Sequence, residues 1–491
     1  MPPPRRLSAH SNVLHLAAAA AALLLFACAA SAEAAVARGA SAATVAASSP
    51  ALVAAARAVG PGHGLRVTGH NFAGDKKPST LVLERFDIFR PGAVIEIRGL
   101  PGSRPRRQAP PDTRFFRGHV QGEPSSSVML SVRPNGAISG LAFRGHAAWA
   151  LGNPASVTTG VAAAAVPGGG LQSRRVQPQA QGKKSFKCGN DKGGIPHNHG
   201  PAGMRGAPAG VSAAVMTNHT VFDQNITAVI ALETDFEYFQ KFGSTQKAID
   251  YAADLIGYAD MTYSREIQVD LSIGFLRLWT GGADTDPWPT ATDSATMLTA
   301  FKSYWDANMT TVERTTAHFL SGMNTGGGIS WVGVLCDWYN SPTNNFAYGE
   351  TRTAGWGGCS KAGQAAHEIG HNFNSPHTHQ YCNTPDASHP DPVDRCATGC
   401  MASAGLPTCT GPVPYYNGGK GTIMSYCYLQ PGSYNNVAMT FGQNHPCGNE
   451  PDRVPIRMRA HPPPNTCKAL YKSCVAPAEC CSKRCRFNVC R

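Results

Sequence analysis

Four residues within an eleven-residue run, His367, Glu368, His371 and His377, carry side chains that can bind a metal or move a proton. On a helix, positions i and i+4 share a face one turn apart, so His367 and His371 can offer imidazole nitrogens to a single ion. Glu368 stands beside them, where its carboxylate can take a proton from a water attacking a carbonyl that the metal polarises. That is the chemistry of peptide hydrolysis. His377 lies six positions past His371 and reaches the same ion only if the helix ends and the chain turns sharply. Asn374 and Pro376 suit that need: asparagine tolerates the left-handed backbone that closes helices, and a proline two residues later prevents continuation. Three neutral nitrogens leave a fourth position for water, as in catalytic rather than closed structural zinc sites. The competing reading is three solvated histidines at a helix end.

The surrounding sequence alternates strand and helix. Residues 226–232 read as a buried strand, 245–263 as an amphipathic helix, 269–279 as a strand and 295–309 as a second helix. Residues 317–322 and 329–335 read as further strands, with Gly326, Gly327 and Gly328 as the turn between them. The next long helix carries the histidines. Beyond it, residues 380–450 are rich in Cys, Gly, Pro and Asn, which predicts a loop-dominated lobe tied by disulfides. Upstream, residues 66–143 form a β-rich unit in which 127–132 turns through Pro134, Asn135 and Gly136 into 137–143. Residues 33–60, rich in Ala and Ser, read as disordered. Residues 161–181, which contain Arg174 and Arg175 and precede Lys183 and Lys184, read as a linker that a protease could cut.

The run HEIGHNFNSPH resembles the metzincin signature HExxHxxGxxH, and its wording is closest to the adamalysin (reprolysin) metallopeptidases. The resemblance covers roughly residues 211–450. It implies an α+β, zincin-like catalytic domain: a twisted mixed sheet, an active-site helix and a disulfide-rich lower lobe. It implies zinc ligands at His367, His371 and His377, a general base at Glu368, and a methionine turn in Gly421-Thr422-Ile423-Met424-Ser425-Tyr426 that places Met424 beneath the metal. Residues 328–335 resemble the family's edge strand, which binds the backbone of an extended peptide or protein substrate. The family's usual glycine is Asn374 here, and the acidic residue that commonly follows the last histidine is Thr378. Tyr426, two residues after the methionine, resembles the astacin and serralysin pattern; it is a candidate oxyanion stabiliser or a packed tyrosine. A calcium ion is compatible with the resemblance, with no ligands assigned.

The chain has 491 residues and a net charge of +12, unevenly spread. Residues 1–200 hold 23 Lys and Arg against 8 Asp and Glu, and residues 201–450 hold 11 against 21. A basic front beside an acidic middle predicts docking of the two rather than a nucleic-acid partner. Residues 1–32, with a basic start, an apolar stretch and small residues, read as a secretory signal peptide. No later segment could span a membrane, so a secreted, extracellular protein is expected. Asn-x-Ser/Thr triplets at Asn218, Asn225 and Asn308 can accept sugar in that compartment. The resulting division is a signal peptide to residue 32, a β-rich prodomain over 33–205, a peptidase domain over 206–455 and a cysteine-rich tail over 465–491.

Of the 16 cysteines, Cys28 leaves with the signal, eight lie from Cys336 to Cys447 and six in the tail, leaving Cys188 over. Its thiolate could fill the fourth metal position and keep a zymogen silent, as the metzincin cysteine switch implies; alternatively it pairs with a domain cysteine. The tail's Cys467, Cys474, Cys480, Cys481, Cys485 and Cys490 follow a stiff His461-Pro-Pro-Pro464 spacer and resemble a knottin, which implies the pairs Cys467–Cys481, Cys474–Cys485 and Cys480–Cys490. The expected function is a secreted zinc metalloendopeptidase made as a latent zymogen. The alternative is a secreted binding protein with a non-catalytic zinc site and a functional tail.

Overall fold

The computed structural model describes residues 42–47, 51–144, 147–153, 170–176, 187–188, 226–353, 358–383, 392–397, 420–431, 433–442, 453–459, 485–486 and 489–490. Two eight-stranded sheets face one another across a long helix. The first sheet is built from β1 (Ala43–Ala46), β2 (Gly64–His70), β3 (Ser79–Phe86), β6 (Arg114–Val120), β7 (Glu123–Val132), β8 (Ile138–Arg144), β9 (Ala147–Gly152) and β10 (Gln172–Arg175), with helix α1 (Ala51–Ala58) packed on it. Its strands alternate between two cores with the two-residue period of a pleated sheet. Phe116, Leu130 and Ala142 pack towards α1, while Phe115, Met129 and Leu141 pack the other way, into the largest core of the molecule.

The second sheet has the order β11-β15-β16-β14-β12-β13-β4-β5. Its middle is β12 (Ile226–Thr234), β13 (Val269–Trp279) and β14 (Thr316–Ser321), all parallel. Helices connect these strands in sequence: α2 (Phe236–Phe242) and α3 (Thr245–Ile267) lie between β12 and β13, and α4 (Ser294–Asn308) lies between β13 and β14. Parallel neighbours require such crossovers. Phe301 and Trp305 of α4 pack on one face, against Phe275 and Phe319; α3 packs on the other, with Leu276 and Leu278. Three strands then finish one end: β15 (Gly327–Ser330), β16 (Tyr348–Arg352) and the two-residue β11 (Lys187–Cys188). Between β15 and β16 is the short α5 (Asp337–Asn340), and beyond β16 come α6 (Gly358–Asn372) and α7 (Arg453–Arg459). Among the described residues, the tail contributes the paired β17 (Cys485–Arg486) and β18 (Val489–Cys490); its disulfide pairing lies outside them.

The other end of that sheet is supplied by the front of the chain. After β3 the backbone leaves the first sheet, runs β4 (Phe89–Arg98) parallel to β13, returns antiparallel as β5 (Arg106–Gln108), and rejoins the first sheet at β6. The front region's basic side chains meet acids of the second half. Arg133 contacts Asp250 at 2.9 Å and Asp254 at 2.5 Å, and Arg117 contacts Asp260 at 2.6 Å and Asp270 at 2.8 Å.

Several expectations are corrected. Part of the Ala-rich stretch read as disordered forms β1 and α1, because alanine is the strongest helix former and Leu52 and Ala56 find a sheet to cover. Arg174 and Arg175, read as linker, lie in β10, paired with β9. The strand expected over 329–335 stops at Ser330, since Gly333 and Cys336 adopt positive φ and turn the chain; Gly327 and Gly328 belong to the strand and not to a turn. β16 escapes a sequence reading because its run Tyr-Gly-Glu-Thr-Arg shows no apolar pattern, although Tyr348, Glu350 and Thr351 are all wholly buried.

Candidate metal centre

Helix α6 lies beneath β15 and β16 and against α3, which buries His367, Glu368 and His371. Each histidine of the helix is held by its other nitrogen. His367 Nδ1 is 2.7 Å from the Ile423 carbonyl oxygen and His371 Nδ1 is 2.7 Å from that of Ser375. A carbonyl only accepts, so both Nδ1 atoms carry the proton, and Nε2 keeps a lone pair for a metal.

The helix ends as its sequence requires. Asn374 sits at φ 70°. Its amide donates to the His371 carbonyl at 2.9 Å and that of Ser375 donates to Gly370 at 3.2 Å, the paired bonds of a Schellman closure. Asparagine serves where the family has glycine because its polar groups are used: Arg457 of α7 donates to the Asn374 carbonyl at 2.6 Å and to Oδ1 at 3.3 Å. The turn returns His377 to within 5.2 Å of His367 and 4.7 Å of His371 between ring centroids. Met424 lies under the helix, where a Cβ on Gly370 would come 2.6 Å from its sulfur.

Cys188 completes the cluster. One ligand atom from each of Cys188, His367, His371 and His377 lies within 4.8 Å of all the others, and all four residues are buried. The Cys188 sulfur is 3.4 Å from His371 Nε2 and 3.8 Å from Glu368 Oε2. β11 places it there by pairing parallel to β15, Lys187 opposite Gly327 and Cys188 opposite Gly328. A Cβ on Gly328 would stand 2.6 Å from Glu368 Oε1, so this close passage of two backbones and a carboxyl needs glycine. The donor set, three imidazoles and a thiol, suits zinc and matches its preference for four nitrogen and sulfur ligands. Burial, and secondarily the nearby Glu350, push the Glu368 carboxyl well above the usual carboxylate range. Tyr426 donates its hydroxyl to the Cys188 carbonyl at 3.2 Å, and its ring lies 4.3 Å from that of His377. Both earlier readings of this tyrosine are thus compatible with its position.

Asp394 was not singled out in the sequence. The acidic group absent at position 378 is supplied from there: Thr378 donates its hydroxyl to Asp394, whose other oxygen accepts from the Cys396 amide at 3.0 Å. The Thr378 amide donates to the Met424 carbonyl at 3.1 Å, and a Cys396–Cys427 disulfide joins the two loops. Burial raises the Asp394 carboxyl to about 6. No local signal marks it, since it lies sixteen residues past Thr378 in a cysteine-rich loop. Asn308 ends α4 and is exposed, whereas Asn218, Asn225 and residues 1–32 lie outside the described residues. Among the described residues, the other candidate metal group, Asp394 with Cys396 and Cys427, has its two sulfurs joined in that disulfide, and the calcium expectation gains no ligands. No described helix is long and apolar enough to cross a membrane.

Converging imidazole nitrogens with a carboxyl in reach define a metal-dependent hydrolase. Comparison of sequences narrows the class: residues 223–437 match the profile of metallo-peptidase family M12, which supports a zinc metalloprotease. No curated protein matches the chain. Among solved structures it is similar to metalloproteinase-II from Bacteroides fragilis, with 13% identity, 68% of this chain and 89% of that one covered, and a TM-score of 0.35. It is also similar to a chaperone–substrate complex, with 14% identity, 31% and 24% covered, and a TM-score of 0.24. Scores this low carry no argument.

Proposed function

We infer that the protein is a secreted zinc metalloendopeptidase, synthesised as a latent zymogen whose metal is capped by Cys188. The observation that carries this reading is the approach of the Cys188 sulfur to the three histidines and Glu368. His367, His371 and His377 hold the ion, and a zinc bound there supplies the Lewis acidity that polarises a peptide carbonyl. Glu368 takes the proton of the attacking water and passes it to the departing amine. An extended peptide adds as a strand along β15 once β11 has left, through backbone hydrogen bonds that carry little side-chain preference. Tyr426, released from the Cys188 carbonyl, donates to the oxygen on which negative charge develops; its present bond to that carbonyl beside the metal site supports this role. Secretion rests on the signal-like residues 1–32 and the abundance of cysteine.

The test is cleavage of a generic protein substrate before and after limited proteolysis, with and without a zinc chelator. Activity should appear on cutting, vanish with chelator and be absent in Glu368→Ala. No cleavage by the cut, zinc-loaded protein would favour a binding protein with an inert metal site, and cleavage that persists in Glu368→Ala would remove Glu368 from the reaction.

A further inference from the structure

The front of the chain touches the peptidase domain in two ways that differ in kind. At the metal, contact is the two-residue β11. At the far edge of the same sheet it is β4, parallel to β13 from the Ile273–Phe89 pair to the Trp279–Arg98 pair. Ile95 and Ile97 of β4 are buried in the core that contains Ile230, Leu276 and Leu278. Between them Glu96, 1% exposed, accepts from Arg277 of β13 at 3.0 Å. Arg277, 2% exposed, also reaches Glu233, which takes the indole N–H of Trp279 and of Trp305 at 2.8 Å each. β4 therefore supplies a carboxylate to a buried charge network inside the peptidase domain.

The first sheet makes a second such contact. Arg133, 3% exposed, answers Asp250 and Asp254 on α3, and Arg117 answers the fully buried Asp260, which also accepts from the Leu271 amide at 2.7 Å. Departure of the front region would strip Asp250, Asp254 and Asp260 of these cations and Arg277 of Glu96, and would uncover the apolar core that Ile95, Ile97, Phe115 and Met129 now fill. It would also turn β13, an eleven-residue apolar strand, into a bare edge. Buried ion pairs that lose one partner are strongly destabilising, and long apolar edges invite aggregation.

We propose that the front unit, β1 to β10, is a lasting non-covalent subunit of the active enzyme, and that activation removes only the arm carrying Cys188 from the metal. The proposal rests on the latency reading for what the arm does, but not for what holds the unit in place. A cut in residues 189–225 severs the arm from the peptidase domain and leaves it tied to β10. β4, β5, Arg117 and Arg133 keep their contacts.

The experiment uses the full, zinc-loaded chain with a specific protease sequence inserted within residues 189–225. After cutting, size-exclusion chromatography in high salt with intact-mass analysis should find both fragments co-eluting one to one, with peptidase activity in that peak. An active catalytic fragment eluting alone would overturn the proposal. In a second arm, the cut complex is separated in denaturant. The catalytic fragment returned to buffer should aggregate or stay inactive alone and recover activity when the front fragment is added back, and full recovery alone would again overturn it. Activity before the cut reads latency separately: co-elution of an enzyme already active when uncut removes the latency reading and still supports retention.

Discussion

The two edges of the peptidase sheet are covered by the same front region, one by two residues and the other by a ten-residue strand. At β15 the covering strand is two residues long, held among the described contacts by parallel pairing with β15, by its thiol at the metal site and by one tyrosine bond to its carbonyl. At β13 the cover carries core isoleucines and a buried carboxylate. On the zymogen reading proposed above, the difference makes one polypeptide both inhibitor and scaffold. What must leave is held by few replaceable contacts, and what must stay is held by burial that water cannot replace.

Substitutions can separate the two edges. The largest effect belongs to the metal side: Glu368→Gln should lower peptidase turnover of the cut enzyme by roughly 10²–10⁴-fold, as loss of a general base does. Its unfolding free energy should change little, because glutamine keeps the volume and shape of the buried side chain. Parallel denaturation and turnover measurements check both. On the far side, Arg133→Ala should cost about 3–5 kcal/mol of stability in denaturant unfolding, since Asp250 and Asp254 lose their shared buried cation.

A pH series sharpens the contrast. Glu350, buried in β16, has its carboxyl raised to about 8, chiefly by burial. Its folded value lies above its unfolded one, so the folded state keeps a proton that the unfolded chain has released. This contribution is full at pH below about 4.5 and is lost as pH rises towards 8. Glu350→Gln should therefore remove about 2 kcal/mol of the decline in stability between pH 5 and 7, read from unfolding midpoints. The smallest change is expected at the short strand: Cys188→Ala should raise turnover by the uncut protein on the order of tenfold, equivalent to ~1.4 kcal/mol of lost capping. An uncut variant as silent as the parent would assign latency to the covering strand rather than to its sulfur.

Much of the metal centre was legible because its information is local. The i, i+4 histidines and the helix-closing Asn374 lie within one short run, and the observed φ of Asn374 follows from steric rules alone. Residues 269–279 were also legible, since a long apolar run between turn signals has few other uses. The destination of β4 was not. Residues 89–98 look like a strand in any sheet, and their partner is about 180 residues away; only the finished packing tells that Glu96 faces Arg277. Asp394 escaped for the same reason, as one of several acids in a loop whose meaning depends on where Thr378 comes to rest.

Arg457, which grips Asn374 from α7, has a consequence for the order of assembly. The bend that returns His377 is secured by a side chain eighty-three positions downstream, and His367 is oriented by the Ile423 carbonyl fifty-six positions downstream. During synthesis the three histidines therefore emerge well before the groups that aim them. Tight metal capture belongs to the last stage of folding, after α7 has docked, and a chain stopped short of residue 453 would bind zinc weakly even with every ligand present.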